Sequence, residues 1–249
     1  MSTNWFTQGG QAYARHRPDY PPELAATLAQ LVAQPRVALD VGCGNGQLTV
    51  QLAQHVDQVI GIDPSQDQID HAESRANIRY LCAPAEQLPL PDQSVDLITA
   101  AQAAHWFDMP AFCAEVQRVA RPGAVVALIT YGVLHVDDPE IDRIVQGFYT
   151  RVIGPYWPAE RRHVENGYRE LYFPFRELEV PAMAIRRRWD LQELLGYVGT
   201  WSAVKAAERV LGSSAMLEFG QRLEQAWGHA DVKRGITWPL AVRAGRMNA

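Results

Sequence analysis

The stretch Leu39-Asp40-Val41-Gly42-Cys43-Gly44-Asn45-Gly46 decides the fold. Before it, Arg36 to Val41 reads as a short buried strand; after it, Leu48, Leu52, Ala53 and Val56 recur at helical period. Glycines at a strand-to-helix turn let backbone approach a ligand closely, and the following helix offers unpaired N–H groups to an anion. Working outward, Gln58 to Asp63 is a second apolar strand. Ser65 with Gln68 makes a capping box that opens a helix carrying Ile69, Ala72 and Ala76 inward. Ile78 to Ala83 is a third strand and Val95 to Gln102 a fourth. Asp108 caps a helix with Phe112, Val116 and Val119 on one face, Arg121-Pro122-Gly123 stops it, and Ala124 to Thr130 is a fifth strand. Such alternation of strand and helix builds a parallel sheet with helices on both faces.

The flanks differ from this core. Glu23 to Val32 places Leu24, Leu28, Leu31 and Val32 at helical spacing behind Pro21-Pro22. Asp138-Pro139 opens a helix with Ile141, Ile144, Val145 and Phe148, and an irregular, ring-rich stretch follows it. Glu177 to Trp189 reads as a strand or hairpin arm. Asp190 and Glu193 form another capping box, starting helical material that continues to about Trp227, and a last strand closes the chain near Ile236 to Ala244. Of the 23 aromatic residues only Tyr80 lies between Gln30 and Ala104. One part of the chain is therefore built without large rings and the rest is full of them.

Composition excludes several classes. With 47% hydrophobic and 20% charged residues, the 249-residue chain is not disordered as a whole, and a net charge of −5 argues against nucleic acid as its main partner. Cys43, Cys82 and Cys113 are an odd number without paired spacing, so neither a disulfide framework nor a metal site is expected. No apolar run approaches the roughly 20 residues of a membrane span, and the N-terminus lacks the apolar core of a signal peptide. The expectation is a cytoplasmic protein without a membrane partner.

Two cofactor classes use a glycine turn of this kind. Dinucleotide enzymes place glycines first, third and sixth, whereas the sixth place here is Gln47. They also place an apolar residue where Asp40 stands; an acid there points to a ligand with an ammonium group near the turn. Asp63, 17 residues after Gly46 in Gly61-Ile62-Asp63-Pro64-Ser65, sits where an acid accepts both hydroxyls of a ribose, though it could equally cap a helix.

In order along the chain, LDVGCGNG, GIDPS, APAEQLPL, SVDLITAAQAAHWFD and EVQRVARPG resemble the successive motifs of class I S-adenosylmethionine-dependent methyltransferases of the type 11-like group. The segments YARHRPDYP, YWPAERRHVENGY and GTWSAVK look like a narrower branch, similar to trans-aconitate methyltransferases and related small-molecule enzymes. The resemblance implies an α/β fold with a Rossmann-like, mostly parallel seven-stranded sheet and helices on both faces. It also implies one domain over 1–249: a cofactor core at 30–135, an N-terminal helical cover at 1–29, lid and substrate regions at 136–176 and 190–230, and closing strands at 177–189 and 236–245. It implies S-adenosyl-L-methionine as cofactor, a small-molecule methyl acceptor as partner, and a monomer or homodimer. Asp40, Gly42, Cys43, Gly44 and Gly46 would surround the methionine part of the cofactor. Asp63 would hold the ribose, Pro64 would lie against adenine, and Ala85 and Glu86 at the adenine edge. Ala101 and Gln102 would sit under the sulfonium, with Tyr13 and Arg17 covering from the N-terminal side. Where many relatives carry an acid for the adenine amino group this chain has Pro84, so that contact falls to Glu86 or backbone. Ala124 replaces a second glycine common after RVARPG.

His105, directly after the fourth strand, is the histidine placed for a general base, or else it bonds locally and positions Trp106. The stretch Phe148 to Phe175 holds eight rings, and residues 151–189 carry eight arginines against five glutamates. Arg161, Arg162 and Arg186 to Arg188 are candidate partners for an acidic substrate, with Trp106, Tyr156 and Trp157 as candidate substrate contacts; a solvated cluster beside a structural core is the alternative. Two rival functions are a cofactor-binding sensor or scaffold without catalysis and a nicotinamide-dependent oxidoreductase.

Overall fold

A computed structural model describes residues 18–247. Tyr13 and Arg17 lie outside them. Five parallel strands form the core: β1 (Val37–Val41), β2 (Gln58–Asp63), β3 (Ile78–Cys82), β4 (Val95–Ala101) and β5 (Ala120–Tyr131), in the order β3-β2-β1-β4-β5. The order reverses beside β1, so the ends of β1 and β4 border a crevice, which is where open α/β sheets bind ligands.

Three short strands, β6 (His135–Val136), β7 (Arg176–Leu178) and β8 (Ala184–Trp189), and the long antiparallel β9 (Arg234–Arg246) complete the sheet. Their registers place nine strands in seven ranks. β5 pairs with Leu240 to Arg246 and β6, three residues further on, with Ile236 and Thr237 along the same edge of β9. β7 takes Ala244 to Arg246 and β8 takes Arg234 to Pro239 on the opposite edge. The strand expected over 177–189 is thus two strands, because Pro181 has no N–H for the ladder. The closing strand is longer than 236–245 at both ends. Pro239 is tolerated inside it because its inner edge faces the break between β5 and β6.

Helices α1 (Pro22–Gln30) and α2 (Gln47–Leu52) pack together on one face of the sheet. α3 (Gln66–Asp70) follows β2 and α4 (Met109–Val119) lies between β4 and β5, while β3 and β4 are joined without a helix. α3 is much shorter than its capping signal suggests: Ser65 does accept from Gln68 N, but Ala76 is exposed and no residue of the helix is buried. A five-residue helix with only alanines to bury beyond it has nothing to offset its nucleation cost. Successive strand residues feed two cores. Ala38, Val59, Leu97, Ala127 and Ile129 face α1 and α2, and Leu39, Val41, Ile98, Val126 and Leu128 face α4.

The roof follows β6. Asp138 caps α5 (Pro139–Gly147) through Glu140 N and Ile141 N, and α5 runs on into a wide turn over Phe148–Val152 and a tight one over Gly154–Tyr156. Next comes α6 (Arg161–Glu165). Beyond β8, the Asp190–Glu193 capping box closes reciprocally at 2.9 and 3.0 Å and opens α7 (Leu191–Gly199), followed by α8 (Ser202–Leu211) and α9 (Ser214–Trp227). No described helix is long and apolar enough to cross a membrane.

Candidate active site

The turn after β1 is shaped by three glycines with left-handed backbone: Gly42 (φ +68°), Gly44 (+56°) and Gly46 (+89°). Gly42 N–H and Cys43 N–H both donate to Ile62 O, at 2.7 and 3.0 Å, which folds the turn onto the end of β2. A Cβ on Gly42 would stand 2.5 Å from that of Ala103, so the turn also touches the chain just beyond β4. Gly44 has open space apart from Gln68 Oε1 at 3.7 Å. The sequence thus brings Gly42 to Gly46 together with Ala101 to Ala103, as a cofactor cradle requires.

Asp63 ends β2 with one carboxylate oxygen accepting from Gly44 N and the other from Ser65 N, both at 2.9 Å. Each oxygen retains a lone pair, so the group can still accept from two neighbouring hydroxyls. Burial raises its pKa, against the lowering effect of the two N–H donors. Pro64 is exposed beside it, Ala85 is buried, and Glu86 accepts from Asp108 N at 2.9 Å with one oxygen, leaving the other for a ligand.

Asp40 stands near the end of β1, just before the turn. It is 1% exposed, and its two oxygens accept from Thr49 Oγ1 at 2.7 Å and Thr99 Oγ1 at 2.8 Å. Its carboxylate therefore lies beneath the turn, and burial pushes its pKa up to about 6 although the two threonines oppose the rise. Burial also pushes the Cys43 thiol well up, keeping it neutral. Gln102, with φ +53°, has both ends of its amide engaged at the end of β5: Nε2 donates to Tyr131 O at 2.9 Å and Oε1 accepts from Thr130 Oγ1 at 3.0 Å.

Sequence reasoning missed two residues here. Tyr80 lies against Gly46 and Gly61, where added Cβ atoms would run into its ring, and so walls the turn. Its being the sole ring of the ring-poor stretch was the available signal. Tyr168 brings its hydroxyl to 2.8 Å from His105 Nδ1, and those residues are 63 positions apart. Trp106, 40% exposed, stands beside the His105 ring at 4.8 Å between centroids.

Over this end of the sheet the roof supplies a cage of rings. Tyr149, Trp157 and Trp201 meet at centroid distances of 5.0 to 5.9 Å, and Tyr156 is half-buried against the same core. Arg161 lies over Trp157 at 4.6 Å and over Tyr149 at 5.6 Å, and its Nε donates to Tyr149 Oη at 2.8 Å. Other candidate arginines are engaged elsewhere. Arg187 pairs with Asp19 at 3.1 Å, Arg188 donates to Lys233 O, and Arg162 is exposed.

A glycine cradle at the end of β1, an acid at the end of β2 and a crevice at the sheet's point of reversal define a class: Rossmann-like enzymes that bind a nucleoside-bearing cofactor. Residues 39–128 match the family model described as a methyltransferase domain. A Dictyostelium discoideum protein named as a methyltransferase is 31% identical over 224 residues, 89% of this chain and 85% of that one. A solved structure from Anaeromyxobacter dehalogenans, described as a type II methyltransferase, is 46% identical and superposes with a TM-score of 0.88 over 93% of this chain and 98% of its own. YcgJ of Bacillus subtilis, at 19% identity and a TM-score of 0.53 over 91% of this chain and 99% of its own, shares the fold. The chain belongs to the class I S-adenosylmethionine-dependent methyltransferases, and its cofactor is S-adenosylmethionine.

The residues fit that group. Gly44 leaves backbone open to it, and Asp63 has two acceptor sites for its ribose hydroxyls. When bound, the cofactor supplies a methyl already activated on a sulfonium. The chain's own task is then to position the two partners and exclude water, which can contribute roughly 7–11 kcal/mol.

Proposed function

We propose that this methyltransferase acts on a small metabolite bearing a carboxylate, in keeping with the resemblance of its flanking segments to trans-aconitate methyltransferases. The carrying observation is Arg161. Its guanidinium is half-buried among rings, and its one protein hydrogen bond among the described residues goes through Nε to a phenol. Glu165, four residues on, accepts from the same Tyr149 hydroxyl at 2.7 Å instead of pairing with the arginine. The two terminal nitrogens therefore keep the fork geometry that matches a carboxylate bidentately, in an environment that strengthens the pair. Asp63 and the glycine turn hold the cofactor end, and the ring cage shields the acceptor end from water.

Turnover with labelled methyl donor against a panel of organic acids, their amides and their neutral analogues tests this reading. An acid should be methylated while its uncharged analogue is a poor acceptor. Arg161→Gln should raise KM for the acid roughly 10- to 100-fold, the worth of a charge-assisted hydrogen bond, without altering cofactor affinity. Indifference of turnover to the acceptor's carboxylate would sink the proposal.

A further inference from the structure

Each parallel connection of the core carries a helix except the one from β3 to β4, residues 83–94. That linker contains Ala85 and Glu86, which the family resemblance sets at the adenine edge of the cofactor, and its order has to come from elsewhere. It comes from α4. Ala85 and Leu88 are buried in the same core as Phe112, Cys113 and Val116 of that helix. Glu86 Oε1 accepts from Asp108 N, at the helix cap, at 2.9 Å. Leu88 N donates to Glu115 Oε2 at 2.7 Å, two turns further on. Gln93 N and Ser94 N donate to Arg118 O and Val119 O at 3.0 and 2.8 Å, at the last turn. The linker is thus laid along α4 from its cap to its end. Gln93 adopts left-handed backbone there (φ +49°), a conformation that persists in a non-glycine residue only where its surroundings impose it.

Arg118 is the centre of this fastening, and all five of its N–H groups have acceptors. Nε and Nη2 donate to the two oxygens of Glu115, both at 2.8 Å. Nη2 also donates to Leu88 O at 2.8 Å, and Nη1 donates to Leu90 O at 2.7 Å and to Asp92 Oδ1 at 2.9 Å. Arginine has only donors and a carbonyl only accepts, so residue type fixes the direction of every bond. Two of the acceptors are main-chain carbonyls of the linker, two and four residues beyond Glu86. Glu115 is held in return: hydrogen bonds from Arg118 keep its carboxyl below the ordinary range, so it remains an acceptor for Leu88 N.

We propose that Arg118, with Glu115, is a positioning residue of the cofactor site. By fixing Leu88 and Leu90 it sets where Glu86 stands, so that the carboxylate oxygen not engaged by Asp108 N accepts from the amino group of adenine. Pro84 stands where many relatives carry an acid for that amino group, so this chain reads the base two positions later, from a residue whose place depends on the fastening. A group that has to meet a ligand atom to within about 0.5 Å is only as precise as the residues that hold it. The cofactor is the same whatever the acceptor, so this role does not depend on the carboxylate reading of Arg161.

Calorimetric titration reads the effect without any methyl acceptor. The two ligands are S-adenosylhomocysteine and its analogue with hydrogen in place of the purine 6-amino group. Wild type should prefer the amino compound roughly 10-fold, the worth of a hydrogen bond to a charged group. Arg118→Lys keeps the charge and loses the planar fork. Its Kd for S-adenosylhomocysteine should rise roughly 5- to 10-fold while that for the analogue changes less than about twofold, so the preference nearly disappears. A merely structural role would weaken both compounds alike. Should Arg118→Lys fail to fold, Glu115→Gln takes its place: the amide sets an N–H donor against the N–H groups of Leu88 or Arg118, and the same loss of preference is expected. A preference retained in the folded variant, equal weakening of both compounds, or a wild type indifferent to the amino group overturns the proposal.

Discussion

The sheet from β1 to β4 and the roof from α5 to α9 hold ligands by different means. In the first, backbone does the holding: glycines at positive φ, strand ends and one acid present N–H groups and oxygens at positions set by the hydrogen-bonded ladder. The one large ring of this half, Tyr80, lies against Gly46 and Gly61 and walls the turn. In the roof, rings make the shape. Tyr149, Trp157 and Trp201 form the cage around Arg161, while Trp189, Tyr197 and Trp238 stack edge-on behind it. The lesson is that one half is specified by what is missing at Cβ and the other by what fills space.

The largest effect expected from breaking this division lies in the roof. Trp238 is fully buried, packs on Tyr197 and Trp189, and donates from Nε1 to Tyr197 Oη at 3.1 Å. Trp238→Ala should lower unfolding free energy by about 3–5 kcal/mol in urea titration, the cost of a large ring removed from a packed core. Cofactor affinity of the folded fraction, measured by calorimetry, should stay within about twofold, since the ring neighbours Trp189 and Tyr197 lie outside the cradle. A parallel collapse of cofactor binding would show that the two halves are not separable.

In the cofactor half the damaging change is an addition. Gly42→Ala places a Cβ 2.5 Å from that of Ala103 on backbone at φ +68°. Strain and overpacking together should cost about 2–4 kcal/mol and displace the turn that receives the cofactor, so stability and S-adenosylmethionine affinity fall together. Gly123→Ala is the matched control: φ is +78° but nothing lies within 4 Å, so only the backbone cost of about 1 kcal/mol remains and cofactor binding is unchanged. Equal losses at the two positions would remove the close approach to Ala103 from the explanation.

This contrast also explains what the sequence made legible. The capping residues Asp108, Asp138 and Asp190 act on neighbours within a few positions, so residue type and spacing announce them. The glycine turn and Asp63 stand at strand ends a fixed interval apart and are announced in the same way, although Asp63 reaches back 19 positions to Gly44 N. The link from Tyr168 to His105 spans 63 positions and the hydrogen bond from Arg243 to the Tyr168 carbonyl spans 75; only the folded chain brings them together. Ser65 and Gln68 announced a helix that ends after one turn, because a cap starts a helix but apolar burial sustains it. Arg161 was visible as one of eight arginines, and nothing local distinguished it from Arg187, whose partner Asp19 lies 168 positions away.

Asp40 offers the subtlest test of the idea that the cofactor half is organised beneath its surface. Its carboxyl is buried with pKa raised from 3.8 to about 6, chiefly by desolvation, so the folded state binds its proton more tightly than the unfolded one. The sign follows: as pH rises from about 4 through 6, the folded protein must give up a proton it holds more strongly, and this group's contribution to stability declines. The full swing is about 3 kcal/mol at most, from 1.36 kcal/mol per pKa unit. Asp40→Asn keeps the shape and accepts from one threonine while donating to the other, and it does not titrate. The difference in unfolding free energy between variant and wild type isolates Asp40 from every other carboxylate. Wild type should gain on the variant as pH falls from 7 to 4, with most of the change between 6 and 4. A difference that stays flat, or that grows in the opposite direction, would mean that Thr49 and Thr99 hold the carboxylate charged as comfortably as water does; the ordering role of this buried acid would then have to be sought in its charge.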